Sequence, residues 1–285
     1  MVRVERVVRR ATRSARALPD FLVVGVQKAG TTSLYRYLVQ QPGVCAAAAK
    51  ELRFFNSTAY ERGLDQYRAN FPLRATQRRR KAITGEASPG YLATPIARER
   101  IGRDLPDAKL VVILREPVAR ALSQHAMNTR RGLESLGFAD AVAAEPERTA
   151  TDALLPHGRP ARNLANYIER GLYAAQLRAL VAAGARTPIL VLFTESLESS
   201  PGPSLALLHD FLALAERPRG EFPHANRNVA SQAQSTVARD LLPHRVLDSV
   251  AAANAELASW LGADDGALVA VAPDHWPPWL GVRST

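Results

Sequence analysis

Phe21-Leu-Val-Val-Gly-Val-Gln-Lys-Ala-Gly-Thr-Thr-Ser-Leu34 decides the fold of this 285-residue chain. An apolar run, Phe21–Val26, reads as a buried strand. A Gly-containing loop follows, and Thr31–Gln40 has helical spacing with Leu34, Tyr37 and Leu38 on one face. Strand, Gly-loop and helix in that order make a phosphate cradle, because the first amides of a helix point outward and carry partial positive charge. The spacing of Gly25 and Gly30 nearly fits the Walker A pattern. Thr31 and Thr32 stand where Lys-Ser/Thr belongs, and the lysine sits earlier, as Lys28. The loop is therefore expected to hold an anion that need not be ATP.

Further strands alternate with helices along the chain. Lys109–Leu114 is a continuous apolar run, as expected of a parallel strand covered on both faces, and Pro188–Phe193 is a second. Helical patterns fall at Pro95–Asp104, Val118–Arg131, Gly171–Ala183, Leu205–Leu214 and Val237–Leu261. Residues 145–166 read as a long loop and Pro218–Gln234 as irregular. The fold class is α/β, a single P-loop-like domain with a central parallel sheet flanked by helices on both faces.

Composition narrows the function. The net charge is +10, with 47% hydrophobic residues and a single cysteine, Cys45. That basic balance suits anionic ligands. One cysteine allows neither an internal disulfide nor a Cys-based metal site, which fits a reducing, cytoplasmic location. No apolar run reaches the ~20 residues that span a bilayer. Residues 1–19 form a basic N-terminal segment expected to be flexible. A basic helix making peripheral membrane contact is the alternative, since its arginines recur every three or four positions.

Ligands of open α/β sheets collect beyond the carboxyl ends of the strands. Three such ends carry chemistry. The first bears Lys28 to Ser33. The second bears Glu86, in Gly85-Glu-Ala-Ser-Pro-Gly-Tyr91. The third bears Arg115, in Arg115-Glu-Pro-Val-Ala-Arg-Ala-Leu-Ser123. A Walker B strand would end in a Mg²⁺-holding acid, whereas this one ends in an arginine, whose planar fork suits a second phosphate. Ser123, two helical turns past Pro117, can reach the same side. Two anion pockets match a nucleotide phosphorylated at both its 5′ and 3′ ends. A P-loop kinase or NTPase, or a non-catalytic nucleotide-binding module, are the alternatives.

These four segments, Val26–Leu34, Lys50-Glu-Leu-Arg-Phe-Phe55, Gly85–Tyr91 and Arg115–Ser123, occur in the order found in sulfotransferases that use 3′-phosphoadenosine 5′-phosphosulfate (PAPS). The chain most resembles the heparan-sulfate-type branch and its bacterial relatives over residues 20–131, with weaker similarity to about residue 214. The resemblance implies a sulfotransferase domain over 20–285 that moves a sulfuryl group from PAPS to a hydroxyl or amine, leaving PAP. It implies that Lys28 stabilises charge on the transferring group and that Ala29, Gly30, Thr31, Thr32 and Ser33 hold the 5′ end. Arg115 and Ser123 would hold the 3′-phosphate, and Glu86 would act as general base. Eukaryotic relatives often carry Lys after this glutamate where this chain has Ala87, so any second cation near the sulfuryl group is expected from elsewhere; Lys50 is a candidate, with a solvated loop lysine as its alternative reading. Arg227 and Asn228 lie in a late loop that closes over the nucleotide in the family. His125 reads as an ordinary helix residue, Glu195 as a turn-holding group, and Arg120 as either a phosphate brace or a surface ion pair. No metal is expected. The expected partner is a small-molecule or glycan acceptor, with no nucleic acid.

Overall fold

A computed structural model describes residues 3–150, 154–155, 159–160, 164–214, 221–223, 232–263 and 265–281. The strands are β1 (Phe21–Gly25), β2 (Val44–Ala46), β3 (Ile83–Ala87), β4 (Lys109–Leu114), β5 (Leu154–Leu155), β6 (Arg159–Pro160), β7 (Ile189–Phe193) and β8 (Leu268–Ala270). Six of them form one sheet in the order β2-β3-β1-β4-β7-β8. Every pairing in it is parallel. β5 and β6 make a separate antiparallel hairpin. Every residue of β1 and β7 is buried, which is why both read as unbroken apolar runs rather than alternating ones.

Helices cover both faces. Thr31–Val39 and Pro201–Leu212 meet where the Tyr37 hydroxyl lies 3.0 Å from His209 Nε2. Pro95–Asp104 and His244–Ala263 both pack against Tyr173–Ala182. Parallel strands need crossover connections, and these carry the helices over the sheet faces. β1 connects leftward to β2, and β3 then jumps across β1 to β4. The reversal places the carboxyl end of β1 between those of β3 and β4, where a ligand crevice opens.

The structure departs from the sequence expectations in four places. Residues 1–19 hold a helix, Arg3–Ala11, and a short turn, Arg13–Ala15. They dock through Arg16, 7% exposed, whose Nη1 donates to the Phe71 carbonyl at 2.7 Å. Within the expected loop at 145–166, a helix spans Glu145–Ala150 and the β5–β6 hairpin follows. The helix expected over Val237–Leu261 is two, Gln232–Asp240 and His244–Ala263, separated at Pro243, which has no amide to donate within a helix. β2 and β8 carry only three residues each, too few for a periodic signal.

Candidate active site

The phosphate loop is built as the sequence suggests, with one unusual backbone choice. Gly30 caps the Thr31–Val39 helix at φ 90°, and Lys28 adopts φ 76° although it is not glycine. A left-handed lysine is uncommon and such outliers concentrate at functional loops. The loop is pinned from outside. The Thr194 hydroxyl donates to the Ala29 and Leu114 carbonyls, each at 2.9 Å, and the Arg115 guanidinium donates to the Lys28 carbonyl at 3.2 Å. Pinning the carbonyls leaves the amides turned the other way. Those of Lys28, Gly30, Thr31 and Thr32 find no acceptor among the described residues. Ala29, Thr31 and Ser33 are buried, while Lys28, Gly30 and Thr32 are partly open. A nest of free amides at a helix start is an anion socket.

The Lys28 ammonium has no carboxylate partner among the described residues. Burial lowers its pKa from the ordinary 10.5, and the charges of Arg130, Arg115, Arg131 and Arg120 push it the same way. A lysine ringed by cations and lacking an acid is a site short of negative charge.

Arg115 stands at the end of β4, 5% exposed. Burial lowers its pKa too, and nearby Glu195 and Glu198 offset this only in part. Its carbonyl accepts from Tyr173 at 2.7 Å. Glu116 caps the following helix, Pro117–Arg130, by accepting from the Val118 and Ala119 amides. Glu116 also pairs with Arg239 at 2.7 Å, and Glu195 accepts from the Glu116 amide at 2.8 Å. Both acids are thereby turned away from a ligand role. Ser123, 4% exposed, spends its hydroxyl on no other described residue. Arg115 and Ser123 are both buried, and Arg115 is joined to the phosphate loop by its bond to the Lys28 carbonyl.

Glu86 is enclosed. It is wholly buried. Oε1 accepts from the Tyr91 hydroxyl at 2.7 Å and the Tyr67 hydroxyl at 3.1 Å. Oε2 accepts from the Ser88 hydroxyl at 2.7 Å and the Leu52 amide at 3.3 Å. Burial raises its pKa above the ordinary 4.5, and these donors act in the opposite sense. The Lys50–Phe55 segment forms the cover, tied down by the Ala87 amide on the Lys50 carbonyl at 3.1 Å and the Arg53 amide on Ser88 at 3.0 Å. Lys50 itself pairs with Glu51 at 2.9 Å, so its charge is already matched.

Several other residues fall outside the site. Arg120 is wholly buried and bonds Gln124 and the Tyr167 carbonyl, so it is neither a phosphate brace nor a surface ion pair. His125 bonds the Leu136 carbonyl at 2.9 Å. Trp279 packs on Phe193 and Tyr173. Arg227 and Asn228 lie outside the described residues. Sequence reading missed Thr194, which braces the loop, and Arg170, whose guanidinium donates to Gln27 at 3.0 Å. Neither carries a motif; only the sheet order brings them to the loop.

Comparison with known proteins shows the family. Residues 18–230 match the sulfotransferase domain family. The chain belongs to that family. It is 34% identical over 204 residues to human heparan sulfate glucosamine 3-O-sulfotransferase 6, covering 70% of this chain and 53% of that protein. It is 40% identical over 108 residues to the membrane-associated sulfotransferase kil1 of Dictyostelium discoideum, covering 38% of this chain and 22% of that one. The chain therefore spans about half, or less, of the curated relatives it matches. The crystal structure of a sulfotransferase from Alicyclobacillus acidocaldarius superposes with a TM-score of 0.57 at 26% identity, covering 83% of this chain and 95% of that one. No helix of the described residues is long and apolar enough to cross a membrane.

Proposed function

We propose that this chain transfers a sulfuryl group from PAPS to a hydroxyl of a glycan or small-molecule acceptor. What supports this reading is the loop with Lys28, whose amides find no acceptor among the described residues, tied by the Arg115 guanidinium to the end of β4, where Arg115 and Ser123 are taken to complete a second anion site. A donor with a 5′-phosphosulfate and a 3′-phosphate uses both; ATP has no use for the second. Among the described residues, no cluster of His, Cys, Asp or Glu could hold a metal ion. The family generally uses PAPS, and the relatives named as heparan sulfate glucosamine 3-O-sulfotransferases favour a sugar hydroxyl.

In the proposed reaction the acceptor oxygen attacks sulfur in line. The bond from sulfur to the bridging oxygen breaks, and its electron pair stays on the 5′-phosphate of PAP. Lys28 and the loop amides stabilise the charge that builds there, as preorganised electrostatics. The acceptor proton goes to Glu86, whose raised pKa strengthens it as a base. Because Glu86 is covered, the Lys50–Arg53 segment has to give way first, and the Leu52 amide, the longest of its four bonds, is the one to yield.

Enclosure of Glu86 also favours a second reading, a PAP-binding module in which that carboxylate only ties Lys50–Phe55 to β3. Two measurements separate the readings from each other and from a kinase. In thermal shift, PAP stabilises the protein without Mg²⁺ and ATP·Mg²⁺ does not. With labelled PAPS and a panel of saccharide acceptors, label appears on an acceptor. PAP binding without transfer to any acceptor leaves the module; stabilisation by ATP·Mg²⁺ alone ends both.

A further inference from the structure

Val4, Val7, Val8 and Ala11 are spaced i, i+3, i+4, i+7, the pattern of a helix stripe that ordinarily faces a core. The Arg3–Ala11 helix leans on the domain with a different side. Arg9 pairs with Glu5 at 2.9 Å, and its Nη1 donates to the Asn70 carbonyl at 3.3 Å. Val7 is 62% exposed and Val8 50%. Ala11 falls between them around the helix axis and is exposed as well. Arg10 and Arg13 are also exposed. A helix that only had to be soluble would turn its valines to the domain and its arginines to water.

A basic groove lies where this segment joins the domain. The Ala17 amide donates to the Pro72 carbonyl at 3.0 Å, and Arg74 Nη1 lies 3.5 Å from the Arg16 carbonyl, which ties the segment to the Arg74–Arg80 helix. The groove between them has a volume of about 410 Å³; its lining includes Ala17, Leu18, Arg74, Arg78 and Lys81 and no acid. Arg74, Arg78 and Lys81 are exposed and form no ion pair among the described residues. Ala17 and Leu18 precede β1, and Lys81 precedes β3. The groove therefore sits at the amino ends of the strands, away from the crevice at their carboxyl ends.

We propose that the Arg3–Ala11 helix and this groove dock the protein on an anionic bilayer. Val7, Val8 and Ala11 enter the boundary between headgroups and acyl chains, and Arg74, Arg78 and Lys81 take a lipid phosphate in the groove. Three small apolar side chains bind a neutral surface too weakly by themselves, so the cations make attachment depend on anionic lipid. A soluble polyanion would use the arginines and leave the outward valines without a role. Docking at this end leaves the crevice open, and it is independent of which nucleotide the crevice takes.

Cosedimentation of the full chain with vesicles tests this. The native chain binds vesicles of phosphatidylcholine with about 30% phosphatidylglycerol at ~0.1 M salt, and does not sediment with pure phosphatidylcholine. Val7→Ser combined with Val8→Ser weakens the partition about 10-fold. Arg78→Gln combined with Lys81→Gln weakens it about 30-fold. Arg130→Gln combined with Arg131→Gln removes the same charge from the crevice side, where both arginines act on Lys28, and changes the partition less than about threefold. All six side chains are exposed, so each variant melts within about 2 °C of the native chain. A polarity-sensitive dye on Val7→Cys shifts to the blue on the anionic vesicles, the native Cys45 being buried. Absence of binding to anionic vesicles overturns the proposal, as does an equal loss from the Arg130 and Arg131 pair, or binding that survives both the valine and the groove variants. Binding of dextran sulfate without binding of vesicles, or self-association that the valine variant abolishes without binding of vesicles, gives the surface to a polyanion or to a second copy and overturns it too.

Discussion

Replacing Arg115 by Ala separates two jobs that the proposed function gives one guanidinium. The side chain is 5% exposed, so it meets a phosphate with little competition from water. A charge-assisted hydrogen bond in such a place contributes about 3 kcal/mol, roughly 150-fold in affinity. That share belongs to the 3′-phosphate alone. The same guanidinium also holds the Lys28 carbonyl at 3.2 Å, at the long end of the hydrogen-bond range. Losing that contact loosens the loop by about 1 kcal/mol, roughly fivefold, for any ligand seated there. PAP, which uses both sites, therefore loses nearly a thousandfold, whereas AMP, lacking the 3′-phosphate, loses about fivefold. The PAP/AMP affinity ratio is the discriminating number. Calorimetry at 25 °C and about 0.15 M salt measures it, since lower salt exaggerates charge effects. Equal losses for PAP and AMP would show that Arg115 serves only the loop and would refute a 3′-phosphate site.

Ser123→Ala removes one neutral donor and weakens PAP about tenfold with AMP unchanged, read in the same titrations. Glu86→Gln keeps PAP affinity within a few-fold and lowers PAP release from PAPS in the presence of an acceptor by about 10²- to 10⁴-fold, the usual worth of a general base; normal turnover would make Glu86 purely structural. Denaturant unfolding over a pH series tests the enclosure of that carboxylate. Its folded pKa is raised, so its contribution is full below the usual carboxylate range and is lost as pH climbs through the raised value; stability relative to Glu86→Gln falls with pH in that window. The opposite slope would mean an ionised, solvent-paired group. For Lys28 the sign is reversed in acid–base terms: its pKa is lowered, so the charged form disappears early, and kcat/KM for PAPS drops on the alkaline side below 10.5. An alkaline limb at or above that value contradicts the crowding of cations around it.

What the sequence made legible and what it hid differ by range. β1, β4 and β7 are buried on both faces, so their apolar runs announce them, and the loop after β1 needs only local residues to form its amide socket. Arg115 was readable because it ends a strand, a position where chemistry collects whatever the topology. The closure of Glu86 was not readable: its four donors come from Leu52, Tyr67, Ser88 and Tyr91, and only the pairing of β3 with its neighbours brings Leu52 and Tyr67 to it. The same topology that lets β3 cross β1 brings Glu86, Lys28 and the Pro117–Arg130 helix to one crevice. It leaves Glu86 under a cover and Lys28 without a carboxylate partner among the described residues. A chemistry that first gathers a multiply charged donor, and then admits an acceptor by displacing Lys50–Arg53, fits that asymmetry better than one in which both partners enter an open cleft.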